Sequence, residues 1–131
     1  MWGGMTRHSE RLGTPNRLRS ARDYTAIKSA GRPLRGKFCL LLVLARPGEA
    51  TRVGFIASKK GVGGAVQRNR ARRRLREIVR RRWPRIPSTG YFLVFIGSRS
   101  TLTANHQYLA SEVERLLAEA GAIAPLARST H

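Results

Sequence analysis

The sequence predicts an α+β fold, a small two-layer sandwich with helices packed on one sheet. Three observations predict it. Segments rich in β-formers alternate with helix-patterned segments along the chain. The run Phe38–Ala45 is apolar on both faces, as expected of a central strand. Leu109, Val113, Leu116, Leu117 and Ala120 recur at helical spacing and form one apolar stripe. A length of 131 residues suits one domain. With 41% hydrophobic and only 7% aromatic residues, its core is modest and mostly aliphatic.

Taken in order, residues 1–16 hold Gly3, Gly4, Gly13 and Pro15 without periodicity and read as a mobile tail. Residues 17–120 form the domain, and 121–131 read as a second, flexible tail. Ser20-Ala-Arg-Asp23 resembles a capped helix start with an acid in its first turn. Tyr24 and Ile27 share a face of that helix, and Gly31 with Pro33 ends it. Phe38–Ala45 is the first strand, Pro47–Ala50 a turn, and Arg52–Ser58 the second strand, so the pair reads as a hairpin. Lys59-Lys60-Gly61-Val62-Gly63-Gly64 is a basic, glycine-rich connection. A long helix runs from Ala65 to Trp83, where Pro84 stops it. Tyr91–Ile96 is the third strand, broken by Gly97. Thr103 is placed to cap the last helix, and Gly121 to end it. No internal repeat is visible.

Charge narrows the function. The chain has 26 Lys+Arg against 7 Asp+Glu, a formal net charge of +19. Such a charge repels itself on compaction and is relieved by a polyanion, nucleic acid first and an anionic membrane surface second. The single cysteine, Cys39, excludes an intrachain disulfide framework and a Cys-based zinc site, and fits a reducing, cytoplasmic setting. The apolar run Phe38–Ala45 is far short of the roughly 20 residues that span a bilayer. The first residues lack an apolar signal-peptide core. Either Met1 or Met5 suits a start.

The most informative segment is Gln67–Trp83. At about 100° per residue, Ala71, Leu75, Ile78, Val79 and Trp83 fall on one stripe. Arg70, Arg73, Arg74, Arg76, Arg80 and Arg81 spread over the opposite side, with Arg72 at the border. Arg68 lies near the stripe, but in the first turn, where its side chain reaches past the helix end. Arg82 falls inside the stripe, which predicts a frayed last turn or a snorkelling guanidinium. Glu77 is placed to pair with Arg73 or Arg81. Ten Arg and one Glu between Gln67 and Arg85 make a single-signed face, and Arg outnumbers Lys 22 to 4 in the chain. The planar Arg fork matches phosphate oxygens and stacks on bases, so this face points to nucleic acid. Neither a helix-turn-helix pair nor zinc-finger spacing is present.

Lys59 and Lys60 precede Gly61, Gly63 and Gly64 but lack the P-loop's following Lys-Ser/Thr, which argues against a nucleoside triphosphate site. The loop reads equally as a plain connection or as a phosphodiester contact beside the arginine helix. Tyr24 and Phe38 are core residues or stacking platforms for unpaired bases.

Ser58-Lys59-Lys60, then Arg68-Asn69-Arg70, Arg72-Arg73 and Arg76-Glu77, resemble the signature of the bacterial ribonuclease P protein subunit. The likeness runs from about Asn16 to Ala120 and takes in Arg17-Leu18-Arg19, Asp23-Tyr24, Arg52-Val-Gly54 and Tyr91–Ile96. It implies an α+β sandwich of the ribosomal-protein and elongation-factor-domain type. In that fold a left-handed βαβ crossover, against the usual hand, holds the arginine helix. The resemblance further implies that a large RNA subunit, using Mg²⁺, hydrolyses precursor tRNA at its mature 5′ end. The protein then has no catalytic residue and binds no cofactor itself. It acts as one copy in a 1:1 ribonucleoprotein without a membrane partner. Carried over by position, Arg68, Asn69, Arg70, Arg72, Arg73 and Arg76 bind the RNA subunit. A cleft between the first helix and the sheet takes the single-stranded leader, with Tyr24 and Phe38 stacking, and Lys28, Lys59, Lys60 and Arg99 beside it. Lys28 stands where relatives often carry a second aromatic, and Arg99 is what remains of a basic pair after the last strand.

Two other classes compete. A protein nuclease needs clustered carboxylates or paired histidines, whereas the seven acids are scattered and the histidines are His8, His106 and His131. A general or ribosome-associated RNA binder shares the charge but has no need of the Arg-Asn-Arg spacing.

Overall fold

The computed structural model describes residues 17, 18 and 20–124. The tail expected over 1–16 lies outside them, as do residues 125–131. The elements are α1 (Ala21–Ala30), β1 (Arg32–Arg35), β2 (Cys39–Ala50), β3 (Arg52–Ile56), α2 (Ala65–Arg82), a 3-10 turn (Trp83–Arg85), β4 (Thr89–Gly97), α3 (Arg99–Thr103) and α4 (His106–Glu119). One mixed sheet has the order β1-β2-β4-β3, with β3 parallel to β4 and the other pairs antiparallel. The α+β fold expected from sequence is the fold found.

Pleat alternation divides the sheet into two faces. Cys39, Leu41, Val43, Val53, Leu93 and Phe95 point to one, where α2 supplies Leu75, Ile78 and Val79 and α4 supplies Leu109, Val113, Leu116 and Leu117. Phe92 and Val94 point to the other, under Leu18 and Ile27 of the α1 side. Both predicted helix stripes are therefore the main core. Burial and the neighbouring Glu112 carboxylate push the Cys39 thiol up to about 12, so it serves as a packing residue. None of the described helices is long and apolar enough to cross a membrane.

Several expectations change. β2 and β3 are not a hairpin. β2 is apolar on both faces and takes β1 and β4 as its two neighbours, which leaves β3 the far edge of β4. The predicted turn at Pro47–Ala50 is a bulge within β2, between the pairs Arg46↔Gly90 and Ala50↔Thr89. The short, polar β1 went unseen because charge and Pro33 suit an edge strand and mask its periodicity. Thr103 ends α3, and Asn105 caps α4 through its Oδ1, which accepts from the N–H groups of Gln107 and Tyr108.

The second tail does not begin at 121. Gly121 adopts φ +73°, its N–H donates to the Ala118 carbonyl, and the Ala122 N–H donates to the Leu117 carbonyl. That Schellman arrangement returns the chain to the core, where Ala122 is fully buried. Ala124 is held as well: its N–H donates to the Arg85 carbonyl, and its carbonyl accepts from the Arg85 guanidinium.

Arg82, expected to fray or snorkel, instead donates to Glu114 at 2.8 Å, and Arg85 binds the other oxygen at 2.9 Å. Hydrogen bonding from Arg85, then from Arg82, holds the Glu114 carboxyl below its usual 4.5 despite partial burial. A depressed carboxyl stabilises the fold above its unfolded value and loses that contribution as pH falls through the folded value. Glu114→Gln is therefore less stable than the parent at neutral pH. In urea melts the two converge once pH falls well below about 4.5.

Candidate nucleic-acid interface

α2 forms although its like charges repel at i,i+4, because Leu75, Ile78 and Val79 are buried against the sheet and α4, and Ala71 against Ala57, Val62 and Leu102 of α3. Its arginines then divide by partner. Arg68 reaches back past the helix start and donates to the Gly63 carbonyl at 3.0 Å. Asn69 Oδ1 accepts from Arg72 Nη2. Glu77 pairs with Arg80 at 2.5 Å and Arg81 at 3.6 Å, not with Arg73. These bonds lower the Glu77 carboxyl, the Arg80 hydrogen bond most. Arg70 and Arg73 remain exposed and without a partner among the described residues.

Arg74 does not belong to the outward face. Its guanidinium donates to the carbonyls of Thr101 (2.6 Å), Leu102 (2.9 Å) and Ala104 (2.9 Å), at the C-terminal end of α3. Those carbonyls have no intrahelical donor, and a cation is the favoured group there.

At the β3 edge, α2 meets the α1 side. The Arg76 guanidinium lies 5.6 Å from the Phe55 ring centroid. Burial, and then the charges of Arg17, Arg72 and Arg73, lower its pKa. Arg17, Leu18, Tyr24, Gly54, Arg72 and Arg76 line a recess of about 300 Å³ there. The Tyr24 phenol donates to the Leu18 carbonyl at 3.2 Å and lies over Gly54, where a Cβ would collide with it. Burial raises the Tyr24 pKa. Tyr24 is thus brought beside two of the arginines singled out from sequence.

Phe38 is not brought there. Its ring packs on the core of the opposite face, beneath Lys37 at 5.7 Å. The cause is its backbone. Phe38 precedes β2 in a turn whose N–H groups bind Glu112 of α4, and its carbonyl accepts from Ser98 and Thr101. The residues that line the α1 face are Leu40, Leu42, Leu44, Ile56 and Ile96, all half-buried. Register puts Arg35, Leu40, Ile96 and Ile56 in one row across the four strands. Sequence reasoning missed this aliphatic platform because Phe38–Ala45 looks apolar throughout. The available signal was parity, with Leu40, Leu42 and Leu44 alternating against Cys39, Leu41 and Val43.

Lys59 and Lys60 are exposed just after β3, and Arg99 just after β4. Because β3 and β4 are parallel, all three lie at one end of the sheet, next to the Ile56–Ile96 pair. Lys28 is exposed in the last turn of α1.

The five glutamates among the described residues have structural partners. Glu49 pairs with Arg46 and Glu119 with Arg115, while Glu77 and Glu114 hold the arginines named above. Glu112 accepts backbone N–H groups, and Asp23 sits in the first turn of α1. Among the described residues, no group of three or more His, Cys, Asp or Glu is placed to hold a metal ion.

The family model for ribonuclease P matches residues 12–121. A ribonuclease P protein component from Symbiobacterium thermophilum is 41% identical over 106 residues, covering 80% of this chain and 90% of that one. The solved RNase P protein from Thermotoga maritima superposes with a TM-score of 0.68 at 28% identity, over 79% of this chain and 96% of that one. The Staphylococcus aureus RNase P protein gives 0.71 at 20% identity, covering 83% and 98% of the two chains, a likeness of fold.

Proposed function

The chain belongs to the ribonuclease P protein family, and from that premise we propose how it serves the removal of 5′ leaders from precursor tRNA. The outward face of α2 grips the RNA subunit through Arg68, Asn69, Arg70, Arg72, Arg73 and Arg76. The α1 face of the sheet takes the single-stranded leader. Tyr24 stacks at the β3 edge, Leu40, Ile56 and Ile96 provide an apolar floor, and Lys28, Lys59, Lys60 and Arg99 meet phosphates. One observation carries this reading: Tyr24, Arg72 and Arg76 line the same recess, so the two RNA-facing surfaces are continuous around β3.

The chemistry belongs to the RNA subunit, with its Mg²⁺ held by RNA. The commitment of Glu49, Glu77, Glu112, Glu114 and Glu119 to arginines and backbone N–H groups supports that division. The protein's part is electrostatic and positional, and one copy per RNA supplies each surface once.

Reconstitution tests the reading. With a bacterial ribonuclease P RNA, the protein stimulates leader removal at low magnesium, whereas RNA-free protein leaves precursor tRNA intact. Failure to stimulate, or cleavage by RNA-free protein, overturns it. In the holoenzyme, Tyr24→Ala weakens precursor tRNA binding by about 10-fold, as loss of one base stack predicts, and leaves mature tRNA binding alone.

A further inference from the structure

A third set of cations borders the platform on its β1 side. Arg32 and Arg35 are exposed on the edge strand β1, and Lys37 is exposed in the turn that follows. None has an acidic partner among the described residues.

The turn is held with unusual care. Glu112, buried on α4, accepts the N–H groups of Lys37 (2.6 Å), Phe38 (2.8 Å) and Cys39 (3.0 Å). Ser98 Oγ and Thr101 Oγ1 donate to the Phe38 carbonyl at 3.1 and 2.6 Å. Position 36 is glycine because a Cβ there would collide with the Glu112 carboxylate. A buried acid and two hydroxyls thus fix the base of Lys37. Beside it is a recess of about 280 Å³, walled by Arg35, Lys37 and Ser98 and floored by Leu40, Ile96 and Gly97.

Edge protection explains Arg32, Pro33 and Arg35, since charge and proline stop a free edge from recruiting another strand. It does not explain Lys37, the clamp or the recess, which lie past the end of β1.

We propose that the corner where β1 ends is an exit for single-stranded RNA, in which the backbone leaving the platform passes between Arg35 and Lys37. This rests on the platform reading given above. The platform row from Ile56 through Ile96 to Leu40 crosses two strand gaps, about 10 Å in all, so it holds only a few nucleotides before Arg35 is reached. Arg35 shares the platform's face, whereas Arg32, like Leu34, points to the other, so the exit at Arg35 and Lys37 takes what lies beyond. A guanidinium fork and an ammonium, neither of whose side chains is paired with an acid among the described residues, suit a phosphodiester backbone.

The test uses the reconstituted holoenzyme and two precursor tRNAs, one with a leader just long enough to cross the platform and one about five nucleotides longer. In the parent protein the longer leader binds more tightly. The double variant Arg35→Ala/Lys37→Ala loses that gain, about 10-fold, and stays within about twofold of the parent on the short leader. The charge-conserving pair Arg35→Lys/Lys37→Arg keeps the gain. No gain from length in the parent, or equal loss on both leaders, overturns the exit. Tyr24→Ala on the short leader reports the platform separately, so failure of one surface is distinguishable from failure of the other.

Discussion

Replacing Glu112 by alanine lowers the unfolding free energy by about 3 kcal/mol, a large share of what a domain this size possesses. The loss comes from hydrogen bonds across the fold. One carboxylate on α4 accepts from Lys37, Phe38 and Cys39, more than 70 residues earlier in the chain. Bonds to a charged acceptor stabilise by about 1.5–3 kcal/mol each, but water replaces part of this where the turn is exposed. At Cys39 it cannot, because that N–H is buried. Glu112→Gln recovers little, since its amide turns an N–H donor towards backbone donors. Gly36→Ala reproduces the defect from the other side by displacing the carboxylate. Urea melts at neutral pH check this. A Glu112→Ala midpoint no lower than that of the exposed-pair variant Glu119→Ala shows that the clamp does not hold the fold.

That clamp also marks where sequence reading stops. The stripe Ala71, Leu75, Ile78, Val79 and Trp83 was legible because helical periodicity is local, and every one of the five is buried. So was the α4 stripe, together with the stop at Gly121. What escaped depends on partners distant in the chain. Nothing around Arg74 reveals that three carbonyls at positions 101–104 await it. Nothing around Arg82 reveals Glu114. The hairpin failed for the same reason, since β4, some 40 residues after β2, takes the place assigned to β3. In the site, the Arg-Asn-Arg segment and Tyr24 were legible by position. Phe38 was misplaced because residues 37–39 obey the α4 carboxylate rather than the pleat of the strand they precede.

The division of α2 into free and committed arginines predicts opposite phenotypes for neighbouring residues. Arg70→Ala/Arg73→Ala weakens binding to the ribonuclease P RNA by about 100-fold and leaves the melting temperature of the free protein near that of the parent. Both side chains are exposed and unpaired among the described residues, so removing them takes away charge without breaking a bond within the fold. Each phosphate left without its arginine also makes the plot of log affinity against log salt shallower, by about 0.7–0.9. The double variant therefore changes the slope by about 1.5. Arg74→Ala, one residue along, does the reverse. It strips the carbonyls of Thr101, Leu102 and Ala104 of their donor and destabilises the protein by about 2 kcal/mol. Its salt slope, measured where the protein is folded, matches that of the parent. Charge alone does not separate these arginines, because each substitution removes one cation from the same 18-residue helix. Only their partners differ. An Arg74→Ala slope as shallow as that of Arg73→Ala would mean that α3 yields its cap to RNA on binding, and that the outward face extends further round α2.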